Sequence, residues 1–330
     1  MKRRELLIAA AGLAGLASVG GSEVLKTIST EEFLFDQSNK LPHLWNKFFT
    51  ASEQLASQST MIDTLSFSIV SMVSALRFHA RSAGPFQRAS QLQLAETLQL
   101  ASLLEVHQTN YGRAMSAAQE AEKIAYAHRS ADLQAASILR QAFVLYYQGK
   151  SHARLHQYKR AALLMPYMHS ELIKSRIQIG LAEAAASSSA SDNSNHHTIL
   201  DTAIATHPAR PQSDPGFPYT YFGSHLSINV ARYHIAAGSY HAALDALGTD
   251  GPIIHGDTAD AAEAQSVLSE ALYYLDHDAC IDASIGLLAK SEHLGSDLRR
   301  AQAMDMFECL SSAPGNHSKK LAMFGEMLQA

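Results

Sequence analysis

Apolar residues recur along this chain at intervals of three and four. Phe67, Val70, Val73, Leu76 and Ala80 form one such series, and Leu94, Leu98, Ala101 and Leu104 another. The spacing returns in Ala114, Ala118, Ala121 and Ala125, then in Ile138, Ala142, Leu145 and Tyr146. It continues through Ile173, Ile177 and Leu181, through Val230, Tyr233 and Ala237, and through Leu268, Ala271 and Leu275. Each series predicts a helix with one apolar face. Almost no stretch alternates with period two over β-branched residues, so strands are not expected.

The stripes come in pairs joined by short polar turns. Residues 105–110, Gly149-Lys150-Ser151, Ala237-Gly238-Ser239 and Asp276-His277-Asp278 are four of these turns. Asn or Gly beside a helix end supplies the left-handed residue that stops a helix. A short turn sends the next helix back against the last, which predicts about twelve helices in roughly six antiparallel hairpins. The rhythm breaks twice. Residues 184–194 read A-A-A-S-S-S-A-S-D-N-S, a mobile turn by composition. Pro208, Pro211, Pro215 and Pro218 make a connection that no helix can cross. The expected organisation is a leader over 1–40, a helical subarray over 41–206, a proline-rich connection over 207–218 and a second subarray over 219–330.

Small residues occupy set places in the pairs. Ala101-Ser102 is followed by Tyr111, Ala114, Ala118 and Ala121, and Val230-Ala231 by Tyr240 and Ala243. Two helices approach closely only where one presents Ala, Gly or Ser and the other a large side chain. A single hairpin cannot bury both faces, so the pairs must stack. With these residues the chain resembles the tetratricopeptide repeat family. Ala101 and Ser102 stand at its Leu-Gly place, Tyr111 and Tyr240 at its turn tyrosine, and Ala114 and Ala243 at its close-packing alanine. No unit carries the family's tryptophan. The resemblance covers 41–328 and implies an all-α, right-handed superhelical solenoid with a concave groove. The run Leu294-Gly295-Ser296-Asp297-Leu298-Arg299-Arg300 is similar to the last repeats of bacterial helix-turn-helix regulators with C-terminal arrays of this kind, here without the DNA-binding domain.

The resemblance also places inward-facing side chains. They are Gln99, with Glu96 beside it, His225, Asn229 and Arg232, with Arg140 and Lys174 as rougher placements. Such grooves hold the carboxylates of a peptide with basic residues and Asn, and Arg232 and Asn229 fit that role. The paired Tyr146-Tyr147 and Tyr273-Tyr274 either pack one ring inside and one over a seam, or set a ring into the groove.

Composition narrows the chemistry. The chain has 330 residues, 47% hydrophobic, and a formal net charge of −5, which leaves no basic excess for a phosphate backbone, so direct nucleic-acid binding is not expected. Cys280 and Cys309 form no framework, and Cys280 reads as a small packing residue. His152 and His156 stand four apart, a metal spacing, but lack a local carboxylate and read as solvent-facing. His196-His197 are adjacent and point apart on a helix. No phosphate loop, nucleophile elbow or H-E-x-x-H occurs, so no catalytic residue, metal or cofactor is expected. Lys2-Arg3-Arg4 before an apolar run of about twelve residues resembles a twin-arginine export signal; the run is too short for a stable membrane span. The sequence therefore predicts a cytoplasmic, non-catalytic scaffold for a protein or peptide. The alternatives are a ligand-responsive sensor half of a regulator and an exported helical protein.

Overall fold

A helix with one apolar stripe must find another to cover it. The computed structural model describes residues 21–50, 60–82, 84–187, 195–216, 226–248, 256, 258–313 and 318–329. Among them are fourteen α-helices and no strand. They are α1 Gly21–Thr50, α2 Met61–Arg81, α3 Gln87–His107, α4 Tyr111–Ala127, α5 Ala131–Tyr147, α6 Ser151–Ala162 and α7 Glu171–Ala186. The second half holds α8 His196–Thr206, α9 Leu226–Ala236, α10 Tyr240–Gly248, α11 Ala259–Tyr273, α12 His277–Leu294, α13 Asp297–Ser312 and α14 Lys319–Gln329. The all-α class read from the periodicity is observed. The candidate export signal, His225 and much of the serine-rich run fall outside the described residues.

Helix starts are set by side-chain oxygens. Thr60, Ser170, Thr258, Asp276 and Ser296 each accept the amide three residues on, opening α2, α7, α11, α12 and α13. Helix ends need a left-handed residue. Gly149, Gly238 and Gly295 supply it with φ of 67°, 73° and 68°. At the first hairpin turn, however, Thr109 and not Asn110 takes the positive φ, at 57°. Arg129 does so at 53°, in the turn between α4 and α5 that holds neither Gly nor Asn.

Consecutive helices pack on each other, and alternate helices differ sharply in burial. Fourteen of 21 residues are buried in α3 and twelve of 17 in α5, against four of 17 in α4 and three of 12 in α6. The first set is therefore an inner layer and the second an outer one. The four buried residues of α4 are Ala114, Ala118, Ala121 and Ala125. Their size lets α3 approach until Ser102 Oγ donates to the Ala114 carbonyl at 2.7 Å. Ala231 and Ala243 are likewise buried completely, while Ala101, Tyr111 and Tyr240 are half-buried at the seams.

The stack continues across the proline-rich connection, because α9 packs on α7. Asp214 fastens that connection: its carboxylate accepts the Ser170 hydroxyl and, at 3.1 Å, the Leu172 amide. The expected boundary at residue 40 falls inside α1, which runs through Pro42. Leu34, Leu41, Trp45 and Phe48 form one buried stripe there, and that burial holds the helix together across the proline. By length and apolarity α2 is the one helix among the described residues that meets the criterion for crossing a bilayer. It lies against α3 with Leu65, Ile69, Met72 and Leu76 buried.

Early and late helices of the chain meet. Here α1 touches α11, α2 touches α12 and α3 touches α13. One core cluster accordingly runs from Leu34 and Trp45 through Leu98 to Leu287, Leu298 and Phe324. Gly295 sits on this seam, where an added Cβ would lie 2.3 Å from Thr60 Cβ. No rotamer of Thr60 relieves that contact, since Cβ does not move with χ1.

Two predictions test the backbone argument. Thr109→Gly and Arg129→Gly should each raise stability by about 0.5–1 kcal/mol in urea melts, the left-handed penalty less the entropy of glycine. Gly295→Ala should lower it by about 2 kcal/mol or more, as strain and overlap add.

Candidate functional site

A guanidinium withdrawn from water needs acceptors for its donors and a counter-charge nearby. The inner layer buries several. Arg140 of α5, Arg232 of α9 and Arg299 of α13 are 1%, 5% and 0% exposed. Arg232 and Arg299 converge on Glu263 of α11 and Tyr147 of α5. Arg232 Nη1 is 2.8 Å from Glu263 Oε1 and Arg299 Nη2 is 3.3 Å from Oε2. The same two arginines donate to the Tyr147 hydroxyl at 2.9 and 3.2 Å. Four helices thus share one carboxylate and one phenol.

Aromatic rings extend the arrangement. The Tyr146 ring lies between Arg154 and Arg232, whose guanidinium carbons are 5.0 and 4.8 Å from its centroid. Arg299 stands 5.7 Å from the Tyr147 ring. Arg140 stands 5.4 Å from Phe143 and 5.9 Å from Trp45. These are cation–π distances, and burial strengthens each contact. Arg154 reaches in from α6 and pairs with Glu183 of α7 at 2.7 Å, both side chains almost fully buried.

The electrostatics follow from burial against pairing. Burial alone would push the Glu263 carboxyl up, but Arg232 and Arg299, helped by Arg176, hold it at about 2. Burial pulls Arg140 down to about 9, which leaves it a cation at neutral pH. Arg232 is held well above its ordinary value, because Glu263 and the two tyrosines outweigh its desolvation. His107 of α3 is driven to about 3 by burial and then by Arg299, so its ring is neutral. Its Nδ1 lies 2.9 Å from Ser296 Oγ, the cap of α13, and closes the array at this point.

Of the residues expected to line a groove, Arg140 and Arg232 belong to this network. Gln99 and Asn229 are buried in the same inner layer, with Gln99 Nε2 donating to Ser137 Oγ at 2.6 Å. Lys174 is elsewhere, paired with Glu171 on its own helix at 2.8 Å. Tyr146 and Tyr147 both face arginines, whereas Tyr274 is 57% exposed and stacks on Tyr240 with centroids 4.1 Å apart. Glu263, Arg299, Arg154, Glu183 and His107 were not singled out from the sequence. The available signal was a charge or imidazole lying within the apolar face of a helix, as Glu263 does between Ala259 and Val267.

His196 and His197 do not point apart. Their rings, 4.2 Å apart, fold together across the first turn of α8, and each Nδ1 lies 2.6 Å from the Tyr233 hydroxyl. The hydroxyl has a single proton, so one imidazole donates to it and the other accepts. His152 and His156 are exposed. Among the described residues no group of three or more His, Cys, Asp or Glu side chains is placed to hold a metal ion. Cys280 is buried with its thiol donating to the Ser269 carbonyl at 3.2 Å, and burial raises it to about 11. No family model matches the chain, and no curated protein matches it.

The network should make the fold acid-sensitive. His107 titrates at 6.5 when unfolded and about 3 when folded, so its contribution is complete above pH 6.5 and is lost as pH falls below it. Glu263 moves from 4.5 to about 2 and adds a loss below pH 4.5. Urea melts at pH 7.5 and 5.5 should show stability falling with pH, and His107→Gln should flatten that slope. Glu263→Gln should cost about 3–5 kcal/mol at pH 7, because two buried guanidiniums lose their counter-charge.

Proposed function

We propose that the chain is a non-catalytic binding scaffold, a tetratricopeptide-like superhelical array whose inner face receives a protein or peptide segment. In this reading the hairpins are α3/α4, α5/α6, α7/α8, α9/α10, α11/α12 and α13/α14. The observation that carries it is the alternation of layers. Outer helices such as α4 bury little beyond small residues, while the successive inner helices gather Gln99, Arg140, Glu183, Arg232, Glu263 and Arg299 into one interior. That interior offers aromatic faces beside fixed cations, the combination that anchors large aromatic side chains of a bound segment. Arg154 is paired with Glu183, and Arg232 and Arg299 with Glu263. Glu263, ionised between two arginines, is far too weak a base to take a proton at neutral pH.

The scaffold reading keeps the regulatory setting implied by the repeat pattern. Arg232→Glu is not a selective probe of it. The change sets a second carboxylate beside Glu263 in the buried interior, and it reports stability rather than binding.

The test is a displayed library of peptides of about 20 residues, roughly the length of one inner helix, panned on the full chain. Selected peptides should bind saturably, and Arg140→Gln should weaken them at least tenfold, about 1.4 kcal/mol, with helicity unchanged. Lys174→Gln, remote from the network, should leave binding as it was. Failure to enrich any peptide, or equal weakening by both substitutions, counts against the scaffold.

A further inference from the structure

The inner face is not bare. The second half of α1 is seated on it. Leu34, Gln37, Leu41, Trp45 and Phe48 are buried, the first, fourth and fifth of them at 1%, 0% and 0% exposure. Their spacing of three, four, four and three is one helical stripe, while Phe35, Asp36, Asn39, Lys40, His43 and Asn46 on the other faces are exposed. The seat is built from both ends of the array: α1 touches α2 and α3 from the start and α11 from the finish.

The seat is also chemically selective. Trp45 lies under the Arg140 guanidinium, 5.9 Å from its ring centroid, and Arg140 is itself 1% exposed. Phe48 meets the His107 ring edge-on at 5.2 Å, and His107 is tied to the cap of α13. Two aromatic places are thus defined by groups that belong to the network joining the two halves. Gln93 Nε2 donates to Ser38 Oγ at 3.3 Å and Phe33 stacks on His79 of α2 with centroids 4.6 Å apart, while the Asp36–Lys40 pair lies on the exposed side of α1 itself. With that one stripe α1 covers parts of α2, α3 and α11 at once. That is how an amphipathic helix lies in a groove when it is a ligand.

We propose that this seat is the helix-binding site of the scaffold and that α1 occupies it in cis, to be displaced by a partner's amphipathic helix. The partner helix presents large apolar side chains at the places of Leu34, Leu41, Trp45 and Phe48, aromatic at the last two. This rests on the scaffold reading and adds the occupant and its exchange.

The probe is a fluorescein-labelled peptide of residues 31–50, followed by anisotropy against full chains. It should bind the Trp45→Ala/Phe48→Ala chain, whose own α1 no longer fills the seat, at least tenfold more tightly than the native chain. The peptide carrying the same two alanines should lose at least tenfold on that chain. A variant chain with native circular dichroism that binds the peptide no better than the native chain overturns the proposal. Should that variant not fold, the native chain still decides, because Trp45 is its single tryptophan. Excess peptide with Phe at the Trp45 place should shift the chain's emission to the red as α1 leaves; unchanged emission at saturating peptide overturns exchange. A dimer that trades α1 between copies and ignores added peptide also overturns it. If library-selected peptides bind while residues 31–50 do not, the occupant is wrong and the scaffold stands; if neither binds, the scaffold falls as well.

Discussion

The shared carboxylate of Glu263 is the constraint on which the interior depends. Apolar packing alone would let the inner helices slide along one another, since one alanine or leucine stripe resembles the next. A buried acid with one oxygen for Arg232 and the other for Arg299 admits few arrangements, and Tyr147 repeats the requirement from α5. Such pairs contribute little net stability over an apolar equivalent, because desolvation offsets their attraction. Their effect here is on register. Four helices from both halves of the chain must be in place before all of these groups are satisfied.

Around that constraint the two layers divide the work by residue size. Outer helices present small side chains inward and so bring the inner helices close enough for a serine hydroxyl to reach a neighbouring carbonyl. Inner helices then have room only for what faces the interior, where large aromatic rings and guanidiniums alternate. Trp45, Arg140, Phe143, Tyr147, Arg299 and Glu263 form one run of contacts from the first helix to the thirteenth. The site and the core of the molecule are in this sense the same set of atoms.

The local features were legible in the sequence because they rest on neighbours. The alanine stripe of α4, the hairpin turns at Gly149 and Gly238 and the burial of Ala231 and Ala243 all follow from spacing and residue size. What spacing cannot show is which distant residues meet. His107 and Ser296 are 189 positions apart, and nothing local to either announces the other. The expected groove residues meet the same limit. Arg140 and Arg232 do face inward, but an arginine read singly looks like a solvated head group, and only Glu263 and the tyrosines make its burial affordable. The stripe of Leu34, Leu41, Trp45 and Phe48 crosses both the expected leader boundary at residue 40 and Pro42, and only tertiary packing completes it.

The meeting of α3 with α13, sealed where Gly295 abuts Thr60, has a consequence for how such a protein can change over time. An open stack tolerates gain or loss of a unit, since each unit sees only its neighbours. A chain in which α3 must meet α13 does not. Adding or removing one hairpin between them would carry Ser296 away from His107 and turn Glu263 away from its arginines, so the helices from α3 to α13 are fixed in number by these contacts. Between α3 and α13, insertions are therefore confined to the outer surface and the connections.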